Sequence, residues 1–229
     1  PSKLKEADTD WKKWLLDRPM VAFDPRKYLE FRLFWPYSSG IPGQWMCHQI
    51  DTVAWFTGFE FPRSAMADGG LYAWKDGRQS ADTFTAIFEY GPDNDPDKGF
   101  QVVFSSRQHN AARGNVEKYH SKIGTIDLIK GTVSNEGVER AKLEAIKLSE
   151  SEAASTAADT GAGNMEVAHM RNWMECVRSR KQPNAPIEAG YSHAVALIMS
   201  NASMRTGMRA TFDRARRQVI AGGKVFKGY

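Results

Sequence analysis

Between residues 64 and 129 the chain runs through β-type segments joined by stretches too short to hold a crossover helix. The segments are Ser64–Trp74, Thr83–Tyr90, Phe100–Gln108 and about Val116–Ile129. Gly- and Asp-rich turns separate them, among them Lys75-Asp76-Gly77-Arg78 and Gly91-Pro92-Asp93-Asn94-Asp95-Pro96. Parallel strands need a connection of roughly a dozen residues or more, so these joints dictate a largely antiparallel sheet. Within Thr83–Tyr90, alternation sets Phe84, Ala86, Phe88 and Tyr90 on one face and polar or small residues on the other. One face packs and the other meets solvent or a partner.

The rest of the chain has to cover the packed face. With 229 residues, 41% hydrophobic and seven tryptophans, it is long enough for one sizeable core or a core with appendages. The first 39 residues read as an aromatic, proline-punctuated arm carrying Trp11, Trp14, Phe23, Phe31, Phe34, Trp35 and Tyr37, with a short helix from about Asp10 to Asp17. Residues 40–229 read as the domain proper. The stretch from Val138 to Gly163 is poor in large apolar residues and is expected to be a partly helical, mobile excursion.

Two amphipathic helices follow, at about Asn164–Arg178 and Glu188–Thr206. Their expected buried stripes are Val167, Met170, Trp173, Met174 and Val177 in the first, and Ala194, Leu197, Ile198 and Ala202 in the second. His169 and His193 lie on these helices, isolated in sequence, and read as satisfied interior or surface histidines.

Composition narrows the function classes. The net charge of +4 comes from 31 basic residues dispersed among 27 acidic ones, and the aromatic residues follow strand and helix periods rather than alternating with basic ones. Neither pattern suits nucleic acid. No apolar run approaches the roughly 20 residues that span a bilayer, so no membrane is expected; no signal peptide opens the chain, and an exported parent stays an alternative because the native N-terminus is read as absent. Two cysteines, Cys47 and Cys176, read as reduced thiols, which points to the cytoplasm. The chain begins at Pro1, read as processing or as removal of something N-terminal.

The segment from Gly40 to Gly58 carries the candidate chemistry. At 3.6 residues per turn it places Gln44, His48 and Asp51 on one side of a helix whose start is crowded by Gly40, Pro42 and Gly43. A histidine held there can give or take a proton. The same His-x-x-Asp spacing also serves as a purely structural hydrogen bond. A metal is not expected, because the adjacent Cys47 and His48 stand about 100° apart around the helix, so Cys47, His48 and Asp51 cannot all converge, and zinc needs three or four convergent ligands.

These residues fall in a longer series: Asp10-x3-Trp14-Leu15, Phe23-Asp24-Pro25, Phe31-Arg32-x2-Trp35-x-Tyr37-Ser38-x-Gly40, His48-Gln49-Ile50-Asp51-x3-Trp55-x2-Gly58, Ala81-Asp82-Thr83-x4-Phe88-Glu89-Tyr90, Gly124-Thr125-Ile126, His169-x2-Asn172-Trp173-x2-Cys176-Val177-x-Ser179-Arg180-x2-Pro183, and Gly190-x2-His193 before Phe212-Asp213. In order and spacing the series resembles the C-terminal domain of the glucose–fructose oxidoreductase / inositol dehydrogenase / rhizopine catabolism (Gfo/Idh/MocA) family. The resemblance implies an α/β domain of the α+β kind, with an open, mostly antiparallel sheet and helices packed on one face. It implies a sugar or polyol substrate, an NAD or NADP cofactor in the parent enzyme, and a homo-oligomer formed through the sheet face.

The Gly-x-Gly-x-x-Gly turn of a Rossmann domain and the family's Glu-Lys-Pro segment are absent from the sequence. The chain alone is therefore expected to be inactive and to hold no dinucleotide, its Rossmann half being supplied in cis or in trans. The family's Asp-x-x-x-His motif falls on Gln44 and His48. His48 matches, as the acid/base for the substrate hydroxyl, and Gln44 is its catalytic companion: an amide there cannot raise the basicity of a neighbour as a carboxylate does, but it can still orient a hydroxyl group. Arg32, Trp35 and Tyr37 fall where the resemblance implies substrate contact, although Arg32 suits a salt bridge on the arm equally well. Asp51 reads as an orienting residue.

The leading expectation is thus the substrate-binding and oligomerisation domain of an NAD(P)-dependent sugar or polyol oxidoreductase. The alternatives are a stand-alone assembly or sugar-binding module, and part of an enzyme that cleaves glycosides with redox assistance.

Overall fold

Phe84, Ala86, Phe88 and Tyr90 do share a buried face, and the strand that carries them is paired on both sides in the larger of two sheets. The computed structural model describes residues 3–112, 114–144 and 164–228. Along the chain, β1 (Ser64–Gly70), β2 (Thr83–Tyr90) and β3 (Phe100–Arg107) come first. Next are β4 (Lys118–His120), β5 (Thr125–Asp127) and β6 (Thr132–Ser134), and last β7 (Ala210–Asp213), β8 (Gln218–Ala221) and β9 (Lys224–Val225). The larger sheet has the order β3-β2-β1-β7-β8-β9 and the smaller β4-β5-β6. Every pairing is antiparallel, as the short connections require.

The helices are α1 (Trp11–Trp14), α2 (Pro25–Leu29), α3 (Cys47–Thr57), α4 (Ala141–Glu144), α5 (Asn164–Ser179) and α6 (Ile187–Thr206). Two compact units result. One holds Pro1–Cys47, Phe59–His109 and Ser192–Tyr229, and with them the larger sheet; the other holds His48–Gly58 and Asn110–Tyr191, with the smaller sheet. The architecture is α+β with an open, mostly antiparallel sheet.

In the first unit, α6 lies under the larger sheet. β1 and β7 share one paired position, Ala65 with Ala210, and the Ala67 N–H donates instead to Ser203 Oγ of α6 at 2.9 Å. Gly69 keeps the approach close: a Cβ there would sit 2.7 Å from the Thr83 carbonyl oxygen and 3.2 Å from both Met204 Sδ and the Phe84 ring. The arm in this unit has an aromatic cluster of its own, with Trp11 stacked on Trp14 at 4.9 Å, Phe23 edge-on to Trp11 at 5.4 Å, and Tyr37 4.8 Å from Trp14. Trp11 is buried, and its indole N–H donates to the Val21 carbonyl at 2.9 Å.

Several expectations are corrected. The first helix covers Trp11–Trp14 rather than Asp10–Asp17, because Asp10 caps it and Leu16 turns to φ +57°. Strand β1 stops at Gly70, since the N–H groups of Tyr72, Ala73 and Trp74 turn inward to the Asp82 carboxylate. The run from Val116 to Ile129 is a hairpin, folded where Ser121 N–H donates to the Gly124 carbonyl.

The buried face of α6 is rotated from the expected one. Ser192, Val195, Ala196, Met199, Ser200 and Ser203 are covered, while Ala194, Leu197 and Ile198 are only half-covered; Ala202 is buried as expected. Small polar residues let the helix come close, and Ser200 answers its hydroxyl on the Leu197 carbonyl. The expected stripe of α5 is not buried at all: Val167, Met170, Trp173, Met174 and Val177 are all exposed. Of the expected excursion at 138–163, the part from residue 145 onward lies outside the described residues.

Candidate functional site

The start of the Gly40–Gly58 segment is not α-helical. Pro42–Met46 forms a π-helical turn in which the Cys47 N–H donates to the Pro42 carbonyl, five residues back. The 3.6-residue period that groups Gln44 with His48 and Asp51 therefore fails through this turn. It holds from Cys47 onward, so His48 and Asp51 share a side of α3.

Gln44 belongs to the first unit, and its amide is engaged there. Nε2 donates to the Arg32 carbonyl at 3.1 Å and to Ser38 Oγ at 3.2 Å, and Ser38 Oγ also accepts the Gly40 N–H at 3.0 Å. Gly40 adopts φ +69°, and a Cβ on it would stand 3.0 Å from Ser80 Cβ. The glutamine thus ties the end of the arm to the helix start. Around it, the Arg32 side chain is exposed and stands 5.7 Å from the centre of the Phe31 ring. Trp35 carries the Arg205 guanidinium 3.7 Å above its ring. Tyr37 packs into the aromatic cluster of the arm.

His48 belongs to the second unit. Its imidazole is exposed and has no hydrogen bond to any described residue, while its carbonyl accepts the Thr52 hydroxyl at 3.1 Å. Asp51 is exposed one turn later, and Trp55, a further turn on, is 74% exposed. Phe56 contacts the Tyr119 ring at 5.3 Å.

Tyr119 leads to a pair that the sequence does not flag. Its hydroxyl donates to Glu117 Oε1 at 3.2 Å, and burial pushes the Glu117 carboxyl up. Burial, with Glu117 beside it, pushes the Tyr119 phenol up too. A shifted carboxyl just ahead of β4 is a candidate proton-handling group, and its one sequence signal is a Glu-x-Tyr spacing.

Asp82, in the first unit, is also unflagged by chemistry. It has no exposed surface, and its carboxylate accepts N–H groups of Tyr72, Ala73 and Trp74 at 3.1, 2.8 and 3.0 Å and the Thr83 hydroxyl at 3.0 Å. Burial alone would raise it, but the backbone donors prevail and hold it at about 2. Arg78 lies 4.3 Å over the Trp74 ring and His109 lies 4.0 Å from Asp82. These contacts make a rigid corner.

The pyrophosphate of a dinucleotide sits where a parallel strand turns into a helix N-terminus. Such a turn is not seen among the described elements, and both sheets here pair antiparallel throughout. Among the described residues no three His, Cys, Asp or Glu side chains gather as a metal requires, and no helix is long and apolar enough to cross a membrane.

No family model and no curated protein matches the sequence. Solved structures do match. The WlbA dehydrogenase of Bordetella pertussis, in complex with NADH and UDP-GlcNAcA, superposes with a TM-score of 0.56 at 15% identity, over 83% of this chain and 51% of its own. The chain shares the fold of about half of that structure. An Agrobacterium radiobacter oxidoreductase, in complex with NAD+, L-tartaric acid and magnesium, matches with a TM-score of 0.51 at 11% identity, over 82% of this chain and 53% of its own. The chain therefore spans about half the length of the structures whose fold it shares.

Proposed function

We propose that this chain is the substrate-binding and oligomerisation domain of an NAD(P)-dependent oxidoreductase acting on a sugar or polyol, with His48 receiving the substrate hydroxyl proton. The observation that carries the reading is an exposed, unengaged imidazole on α3 in a chain whose fold is shared with half of NAD-bound oxidoreductases. The cofactor, held by a dinucleotide-binding domain in cis or in trans, supplies the hydride acceptor. The part left to this chain is binding, orientation and proton transfer.

In that role the imidazole hydrogen-bonds the alcohol hydroxyl and takes its proton as the carbinol carbon gives up hydride and the C=O bond forms. Asp51, on the same side of α3, orients the ring or the substrate. Gln44 acts as a positioning residue, because its N–H groups are spent on Arg32 and Ser38. Arg32, Trp35 and Tyr37 are the substrate contacts of this reading. Oligomerisation uses the open face of the larger sheet, where Met66, Ile87 and Val103 stand in register across three strands and are exposed.

Titrating the chain with myo-inositol and with D-glucose, while following the His48 ring protons by NMR, tests the binding role. Saturable shifts at His48 that vanish in His48→Ala support it. A ring that responds to no polyol or sugar at any concentration counts against it.

A further inference from the structure

Helix α5 covers very little of itself. From Glu166 to Ser179 only Asn172 and Cys176 escape full exposure, and these two tie it to the following loop. Asn172 Oδ1 accepts the Asn184 N–H at 2.9 Å, and the Cys176 thiol reaches the Gln182 carbonyl at 3.5 Å. Yet its apolar residues are ordered: Val167, Met170, Met174 and Val177 recur at spacings of three, four and three, with Trp173 alongside, and the five are 41–59% exposed. A 16-residue helix is near the length at which isolated helices are marginal in water, and packing of an apolar face normally stabilises it. Something therefore covers this face.

We infer that the cover is α5 of a second copy of this chain, laid parallel to the first as a two-stranded coiled-coil seam. The spacing sets Val167 and Met174 at the a positions of a heptad and Met170 and Val177 at the d positions. Glu166 and Trp173 then fall at g, and Arg171 and Arg178 at e. In a parallel pair each g residue meets the e residue of the next heptad across the seam. Glu166 thus faces Arg171 of the second copy, an ion pair, and Trp173 faces Arg178 of the second copy, a guanidinium over an indole. The two-fold axis repeats both contacts. Antiparallel pairing sets e against e, arginine against arginine, so the charge pattern selects the parallel arrangement. This seam is separate from the sheet face proposed above and does not depend on it.

Cysteine cross-linking of the full chain tests the register. With Cys47 and Cys176 replaced by serine, Met174→Cys should form a disulfide-linked dimer on mild oxidation, because a positions meet their own copies across a parallel seam. Glu175→Cys, one residue on and outside the seam, should not. Ile87→Lys on the sheet face should leave the Met174→Cys cross-link intact.

In sedimentation equilibrium, Glu166→Arg or Arg171→Glu alone should weaken the dimer roughly tenfold, and the two together should restore it. These side chains are exposed, so the fold should survive, as circular dichroism will show. The inference is overturned if the chain stays monomeric at its highest soluble concentration, if Met174→Cys links no better than Glu175→Cys, or if a mixture of Val167→Cys and Val177→Cys chains cross-links to each other in preference to themselves.

Discussion

Asp82 is a carboxylate with no exposed surface, and it is tolerated because four donors converge on it. Replacement by asparagine turns an acceptor into a partial donor facing N–H groups. Asp82→Asn should therefore cost about 1–3 kcal/mol, read as a lowered denaturation midpoint. The same residue gives the chain an acid limit. Its folded value of about 2 lies below the ordinary 3.8, so its contribution is complete above 3.8 and is lost as pH falls through about 2. Unfolding free energy measured from pH 5 to pH 2 should decline in the parent, and decline less in Asp82→Asn. The residue sits legibly enough in an Ala-Asp-Thr motif, but only the turn of residues 72–74 back upon it reveals what it does. His48 is the opposite case, since its sequence neighbours identify it as a candidate while its exposure leaves the ring unengaged.

At the scale of elements, alternation predicts well where one face is plainly apolar. Phe84, Ala86, Phe88 and Tyr90 are buried as their period of two requires, and the antiparallel order follows from turn length. Helix α6 shows where such reading stops. Ser192, Ser200, Asn201 and Ser203 are polar by composition yet buried, because small side chains bring the helix close to the sheet and their hydroxyls and amide find backbone partners. A hydrophobicity pattern therefore assigns the wrong face. The closeness can be tested at Gly69, where an added Cβ meets the Thr83 carbonyl oxygen at 2.7 Å. Gly69→Ala should destabilise the chain by about 1–3 kcal/mol in chemical denaturation, whereas Ala at an open site such as Gly190 should cost nothing measurable through clash. The π-helical turn at Pro42–Met46 escapes periodicity for a related reason: the widening is set by a five-residue hydrogen bond that leaves no repeat in the sequence.

At the scale of the whole molecule, the chain shares the fold of about half of each solved structure it matches, and its described residues leave two apolar surfaces uncovered. On the sheet face, Val103→Glu should reduce the assembly by one step of association in light scattering, without loss of strand content. An unchanged mass would remove that face from the proposed assembly. The central claim concerns chemistry, and its most direct measurement is alcohol oxidation by the enzyme assembled with its dinucleotide-binding half. Compared under saturating cofactor, His48→Ala should lower turnover by roughly a hundredfold or more while the dissociation constant for the reduced dinucleotide stays the same. A variant that turns over at the parent rate would contradict the account.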